Sequence, residues 1–545
     1  MRPIILLLGF VVFGLVEVRA DTYPKNLRVD IINYRFALEL HDQDNRIAGT
    51  ADVDLRFVAA GETSLRFDLT NQDTATGRGM TVSAVSADGA SLAFTHRDNA
   101  LTITLPRRFE PGQRLRLQIA YAGVPASGLK IANNKHGDRT FFSDNWPDKA
   151  RNWLPTVDHP YDKATSEMVV TAPAHYQVIS NGLLVEETDL PGGRRRTYWR
   201  QSVPIAPWLY VLGVARFAVQ HVDTFQGKAI QTWVYAQDRD AGFYDFAVPT
   251  RDVLQFYSDK VGPFSYEKLA NVQSNSVSGG MESASAIFYS EGSVVGDRNV
   301  RWRNVVIHEI AHQWFGNAVT ESDWNDVWLS EGFATYFTLL YIEHAYGRDE
   351  FLSGLESSRQ RILEFDKQRP DYRVVHDNLS DMSQVTTGQI YQKGAWILHM
   401  LRGIVGDEVF WTGIRSYYRA HQDGHATTAD FRGEMERASG RDLRGFFDQW
   451  LTRGGLVRLD GDWAYSADAK SITIRLTQRD RARIFAMPLQ VGVYTAGNST
   501  PAITTVQLSD ASHQFQIAAG QRPDRVVLDP NHLVLMESVF VEARR

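Results

Sequence analysis

The chemistry most legible in this chain of 545 residues sits in His308-Glu309-Ile310-Ala311-His312, with eighteen residues separating His312 from Glu331. On a helix, positions i and i+4 share one face a single turn apart, so both imidazoles can reach one ion. Hydrolytic zinc sites use three protein ligands and keep a fourth position for water. Glu331 opens what reads as a second helix, Glu331–Ala345, and supplies the third ligand. A zinc ion lowers the pKa of its water from about 15.7 to roughly 7. Glu309, beside the first histidine, is placed to take that water's proton as general base.

His-Glu-x-x-His alone arises by chance in about a few per cent of chains this long, and its apolar neighbours Val305–Ile307 and Ile310–Ala311 also suit an ordinary buried helix. Three further stretches have to be explained with it. Gly279-Gly280-Met281-Glu282-Ser283 lies one helix and loop upstream. His312-Gln313-Trp314-Phe315-Gly316-Asn317 and Trp324 through Phe337 surround the ligands. Tyr391-Gln392-Lys393-Gly394-Ala395 follows downstream. With these motifs the chain resembles the aminopeptidase N family of zinc metallopeptidases, the gluzincin aminopeptidases that include the leukotriene hydrolase branch. The resemblance is most specific over residues 265–402.

The resemblance implies roles for the remaining residues. Glu282 would bind the substrate's α-ammonium, a charge-assisted contact about twice as strong as a neutral hydrogen bond. Gly279, Gly280 and Met281 would lie along the substrate backbone, where a glycine's missing Cβ permits close approach. Tyr391 would donate to the oxyanion, a contact whose loss typically costs ~2.7–4 kcal/mol. Two positions depart from the family pattern. Ser283 stands where asparagine is usual, and the segment Asp144-Asn145-Trp146-Pro147 shows no clear equivalent of the Gln or Glu that assists amine binding. Weaker discrimination between free and blocked N-termini is therefore expected.

Composition excludes several other chemistries. There is no cysteine, so thiol catalysis, thiolate metal sites and disulfides are ruled out. A net charge of −6 gives no electrostatic reason to expect nucleic acid. No phosphate-binding loop, G-x-S-x-G elbow or dinucleotide fingerprint occurs. At the N-terminus, Arg2, the apolar run Ile4–Val16 and Val18-Arg19-Ala20 read as a signal peptide with the mature chain starting at Asp21. The run is shorter than the ~20 residues a spanning helix needs, so the expectation is an exported protein, periplasmic or secreted, without a stable transmembrane anchor.

The expected fold is a multidomain α+β protein. After a signal peptide at 1–20, residues 21–218 alternate with period 2 in Val53–Phe57, Leu101–Leu105 and Leu115–Ile119. Ser180-Asn181-Gly182 reads as a hairpin turn, and Arg194-Arg195-Arg196 after Pro191-Gly192-Gly193 as a solvated hairpin tip. This part matches the family's N-terminal β-saddle domain. Residues 219–455 have helical spacing in Arg251–Lys260, Val305–Phe315, Gly394–Val405 and Leu443–Trp450, and by resemblance form a thermolysin-like, mainly α catalytic domain. Residues 456–545 return to alternation and read as a C-terminal β-sandwich. Without the large helical domain that roofs the site in many relatives, an open cleft is expected, unless oligomerisation covers it.

The functional expectation is one zinc ion per chain and removal of N-terminal residues from peptides with a free N-terminus. The alternatives are a zinc endopeptidase with an open cleft, an epoxide hydrolase as in the leukotriene branch, and a non-catalytic peptide-binding relative. Glu282 separates the first alternative from the aminopeptidase reading, because an endopeptidase cleft has no use for an amine anchor.

Overall fold

A computed structural model describes residues 21–375, 382 and 385–543. The signal-peptide reading falls on residues outside that range. The described chain has a β-rich N-terminal region, a mainly helical catalytic region and a β-rich C-terminal region.

An eight-stranded sheet dominates the N-terminal region. Its strand Ile47–Phe57 pairs antiparallel with Arg114–Val124, setting Val53 opposite Leu117 and Leu55 opposite Leu115. All four of these side chains are buried, as the period-2 alternation requires of a half-covered strand. The strands Leu183–Leu190 and Arg194–Ile205 form a hairpin whose tip is Pro191–Gly193, and Arg195 and Arg196 pair with Asp189 and Glu186 across it.

The turn at Ser180–Gly182 is not a hairpin. Gln177–Ser180 belongs to a separate four-stranded sheet with Leu212–Ala215, Arg139–Ser143 and Leu129–Asn133, whereas Leu183 starts a strand of the large sheet. The chain switches sheets there. Gly182 has φ +72°, and a Cβ would lie 1.9 Å from the Arg200 carbonyl. Asn181 is buried and its amide donates to the carbonyls of Leu209 and Ala284. A Ser-Asn-Gly turn signal is therefore present, but tertiary hydrogen bonding sets its direction.

The catalytic region opens on a five-stranded sheet in which every residue of Lys268–Ser274 is buried. Its last strand, Gly280–Met281, pairs antiparallel with Ala286–Ser290 and is an edge of the sheet. The helix Val300–His312 packs against it, and the helix Trp328–Tyr346 packs on that helix. The first starts at Asn299, whose side chain accepts from the Arg301 amide. A third helix, Gly394–Val405, meets the second where Gly332 and Gly394 touch: a Cβ on Gly332 would lie 2.9 Å from the Gly394 Cα. Only glycine permits so close a backbone approach. The C-terminal region stacks a four-stranded sheet that includes Val457–Ser466 and Ser471–Gln478 near a three-stranded sheet built on Met487–Tyr494.

Candidate active site

His308 and His312 lie one turn apart on the helix Val300–His312, and Glu331 comes from the first turn of the helix Trp328–Tyr346. His308 Nε2 and His312 Nε2 are 3.1 Å apart. Glu331 Oε2 is 3.4 Å from the first and 3.2 Å from the second. Ligands held about 2.0–2.1 Å from a tetrahedral ion are separated by about 3.3–3.4 Å, so these three atoms outline one face of such a polyhedron. His312 Nδ1 lies 3.1 Å from the Phe315 carbonyl, which can only accept. The hydrogen is thereby assigned to Nδ1, and the Nε2 lone pair faces the triangle. Ser330 Oγ is also 3.1 Å from Nδ1. The turn that makes this possible passes through Gly316, at φ +107°, where a Cβ would meet Ser330 Oγ at 2.2 Å.

The donor set fits a divalent cation. His308 Nε2 and His312 Nε2 face one another, and Glu331 Oε2 is buried without a hydrogen-bond partner. Burial pushes the carboxyl of Glu309 well above its ordinary range, with Glu282 and Glu331 adding to the effect. Burial likewise raises Glu282, to about 7. For Glu331 burial is the largest single influence and acts upward, but the charges and hydrogen bonds of His312 and His308 together exceed it and hold its pKa at about 2. Burial lowers His308, whereas the carboxylates of Glu331 and Glu282 overcome burial at His312 and raise it to about 10. Three buried carboxyls around two imidazoles form a cluster that a doubly charged ion neutralises, and a bound cation becomes the largest local charge acting on each pKa.

The other predicted residues converge on the same place. Glu309 packs against the edge strand so closely that a Cβ on Gly280 would lie 2.2 Å from its Oε1. The side-chain ligand atoms of Glu282, Glu309 and His312 are all within 4.8 Å of one another. Glu282 Oε1 is buried and unpartnered. Tyr391 sits in a wide turn, Gln389–Lys393, and its hydroxyl donates to Glu331 Oε1 at 2.6 Å. Met281 is buried next to Glu282, and Gly279 has open space around its Cα.

Sequence reasoning assigned no role to Gln313 and Asn317, although both lie in the stretch after the ligand helix. Their amides donate to the Glu282 carbonyl at 2.8 and 2.6 Å, and Gln313 Oε1 accepts from the Ser285 amide. They brace the loop carrying Glu282 whichever residue follows it. In the segment Asp144–Pro147, Asp144 is only the least of the influences on the Glu282 carboxyl. No sequence pattern links those two positions.

Residues 31–209 match the peptidase M1 N-terminal domain, and residues 247–450 match the peptidase family M1 domain. The chain belongs to peptidase family M1. The fold agrees: an M1 zinc metallopeptidase from Deinococcus radiodurans, solved as a point mutant, superposes with a TM-score of 0.66 at 25% identity, covering 78% of this chain and 94% of that one. Glutamyl aminopeptidase from Homo sapiens is 30% identical over 329 residues, 57% of this chain and 34% of the relative. A probable aminopeptidase 2 from Sulfurisphaera tokodaii is 26% identical over 393 residues, 69% of this chain and 49% of the relative. The chain thus spans about a third to a half of the curated relatives it matches. For this M1 member the ion that suits the His308–His312–Glu331 triangle is zinc, the family's metal.

Proposed function

We propose that this M1 peptidase is an exported aminopeptidase that removes N-terminal residues from peptides. One observation carries the reading: Glu282 is a buried carboxylate with an unpartnered oxygen, within 4.8 Å of the base and a ligand. An unsatisfied buried charge is costly, and a substrate α-ammonium supplies both the hydrogen bond and the opposite charge that favours the ionised form. An amine held there sets the first peptide bond beside Glu309. Gly280–Met281, an open sheet edge, offers backbone pairing to an extended peptide.

Zinc, when bound by His308, His312 and Glu331, supplies Lewis acidity and an acidified water. Glu309 accepts the proton released as water oxygen bonds to the carbonyl carbon, and delivers it to the amide nitrogen as the C–N bond breaks. Its placement against Gly280 keeps it beside the bound backbone. The Tyr391 hydroxyl donates to the carbonyl oxygen as that atom gains charge. In the free protein the same hydrogen goes to Glu331 Oε1, so substrate exchanges one anionic acceptor for another.

The test compares one short peptide with its N-acetylated twin by mass spectrometry. Single residues released only from the free peptide support the aminopeptidase. Internal cleavage of both makes this an endopeptidase, and cleavage of neither by zinc-loaded protein favours a non-catalytic relative. Export rests on the leader read in residues 1–20, and Edman sequencing of the protein recovered outside the cytoplasm should begin at Asp21. Among the described residues no helix is long and apolar enough to cross a membrane.

A further inference from the structure

The first described residues do not trail away from the body. In Asp21–Lys25 alternate side chains turn inward, as in any extended segment, and each inward residue is anchored. Asp21 Oδ2 is 2.6 Å from His159 Nε2 and accepts from the Trp324 amide at 3.3 Å. Tyr23 stacks on the His159 ring at 4.6 Å and donates its hydroxyl to Asp68. Lys25 Nζ donates to the Ser322 carbonyl at 3.2 Å and pairs with the Asp323 carboxylate. His159 and the Asp21 side chain are both nearly inaccessible, at 1% and 7% exposure, which separates this segment from a frayed terminus.

His159 and Asp68 belong to the N-terminal β region, whereas Ser322, Asp323 and Trp324 belong to the catalytic region. The segment therefore bridges the two. Its catalytic anchor is the short loop that feeds the second ligand helix: Trp324–Asp326 forms a single turn, and the Val327 carbonyl then accepts from the amides of Ser330 and Glu331, both at 3.0 Å. The same Trp324 packs edge-on against Trp146 at 5.2 Å and lies against Trp208 at 5.0 Å. The loop that leads into the Glu331 helix is thus packed against Trp146 and held by residues 21–25.

We propose that Asp21–Lys25 is a positioning strap that fixes the 322–327 loop, and through it Glu331, for zinc binding and turnover. This rests on the zinc-site reading above. Glu331 has to sit close to its place in the triangle, and the Asp21 and Lys25 contacts add to the Ser322 amide's bond to the Ala426 carbonyl and the Thr428–Asp326 hydrogen bond in fixing the loop before it. Side chains behind metal ligands typically change affinity or activity by about 10–100-fold when removed, and the strap acts at the lower end because it works through backbone.

The test uses the full chain with Asp21→Ala, Lys25→Ala and Lys25→Arg. Zinc affinity is read by competition with a chromophoric chelator, without substrate, alongside kcat and KM on a free dipeptide amide. The expected result is zinc affinity and kcat each lowered about tenfold in the alanine variants, KM nearly unchanged, and recovery in Lys25→Arg. Should Asp21→Ala fail to fold, Lys25→Ala decides, since the Lys25 side chain is partly exposed, at 18%. Folded Lys25→Ala protein with zinc affinity and kcat within twofold of wild type overturns the strap. A wild-type protein that binds zinc but hydrolyses nothing overturns the aminopeptidase reading instead, and the chelator measurement still judges the strap.

Discussion

Gly280→Ala isolates the placement of the base from the metal site. The new methyl would lie 2.2 Å from Glu309 Oε1, 2.3 Å from Cδ and 2.4 Å from Cγ, where ordinary contact begins at 3.4 Å. The carboxylate must therefore retreat by about 1 Å, and misplacing a reacting group by that distance costs on the order of 10²-fold in rate, or roughly 2.7 kcal/mol of barrier. The obstructed atoms are the end of a flexible side chain, so folding should survive with little change in melting temperature. His308, His312 and Glu331 are not among the atoms approached, so zinc content should stay at one per chain. The assay is kcat/KM on a free dipeptide amide with zinc measured on the same samples. Glu309→Gln provides the internal control: it should retain zinc while losing about 10²–10⁴-fold in kcat. Adding Gly280→Ala to Glu309→Gln should then cost almost nothing more, because both changes remove the same group and neighbouring effects do not add. Wild-type activity in Gly280→Ala, or full additivity in the double variant, would refute the assignment of Glu309 as the base held against the edge strand.

Other perturbations probe the remaining parts. Tyr391→Phe should lower kcat by about 10²–10³-fold, equivalent to ~2.7–4 kcal/mol, with KM little altered; an unchanged kcat would leave the oxyanion without its assigned donor. Gln313→Ala removes the brace on the Glu282 carbonyl and on the Ser285 amide. It should raise KM for free peptides several-fold while zinc stays bound, and an unchanged KM would show that the loop holds without it. Lys268 is buried, donates to the Ser180 carbonyl at 2.9 Å, and burial lowers its pKa to about 7. Between that value and the roughly 10.5 of an unfolded lysine, the unfolded chain holds a proton that the folded chain has released, so the cost of burying this residue is relieved progressively as pH rises. Stability of the wild type relative to Lys268→Met should therefore increase by up to about 1.4 kcal/mol per pH unit above pH 7. Parallel urea midpoints at pH 7 and pH 9 would contradict that.

The histidine pair of the proposed metal triangle is legible in the amino-acid sequence because its spacing is local, whereas Glu331 comes from a second helix. Helical periodicity alone brings His308 and His312 to one face; the 3.1 Å between their Nε2 atoms also needs the His312 ring oriented by the Phe315 carbonyl and Ser330. The alternating strands and the three-part β, α, β order are readable for the same reason: a pattern of burial repeats along the segment that makes it. Tertiary packing decided everything that joins distant segments. Tyr391 reaches Glu331 because Gly332 and Gly394 let two helices touch backbone to backbone. The Ser180–Gly182 turn carries a correct local signal, yet its direction is set by Asn181 bonding to Leu209 and Ala284, far along the chain. Glu309 against Gly280 and Lys25 on Asp323 have no sequence signature, since no periodicity relates residues that meet only when separate elements pack. Residue types and local spacing determined the chemistry this chain can perform; long-range packing decided the distances and charges under which its groups would act.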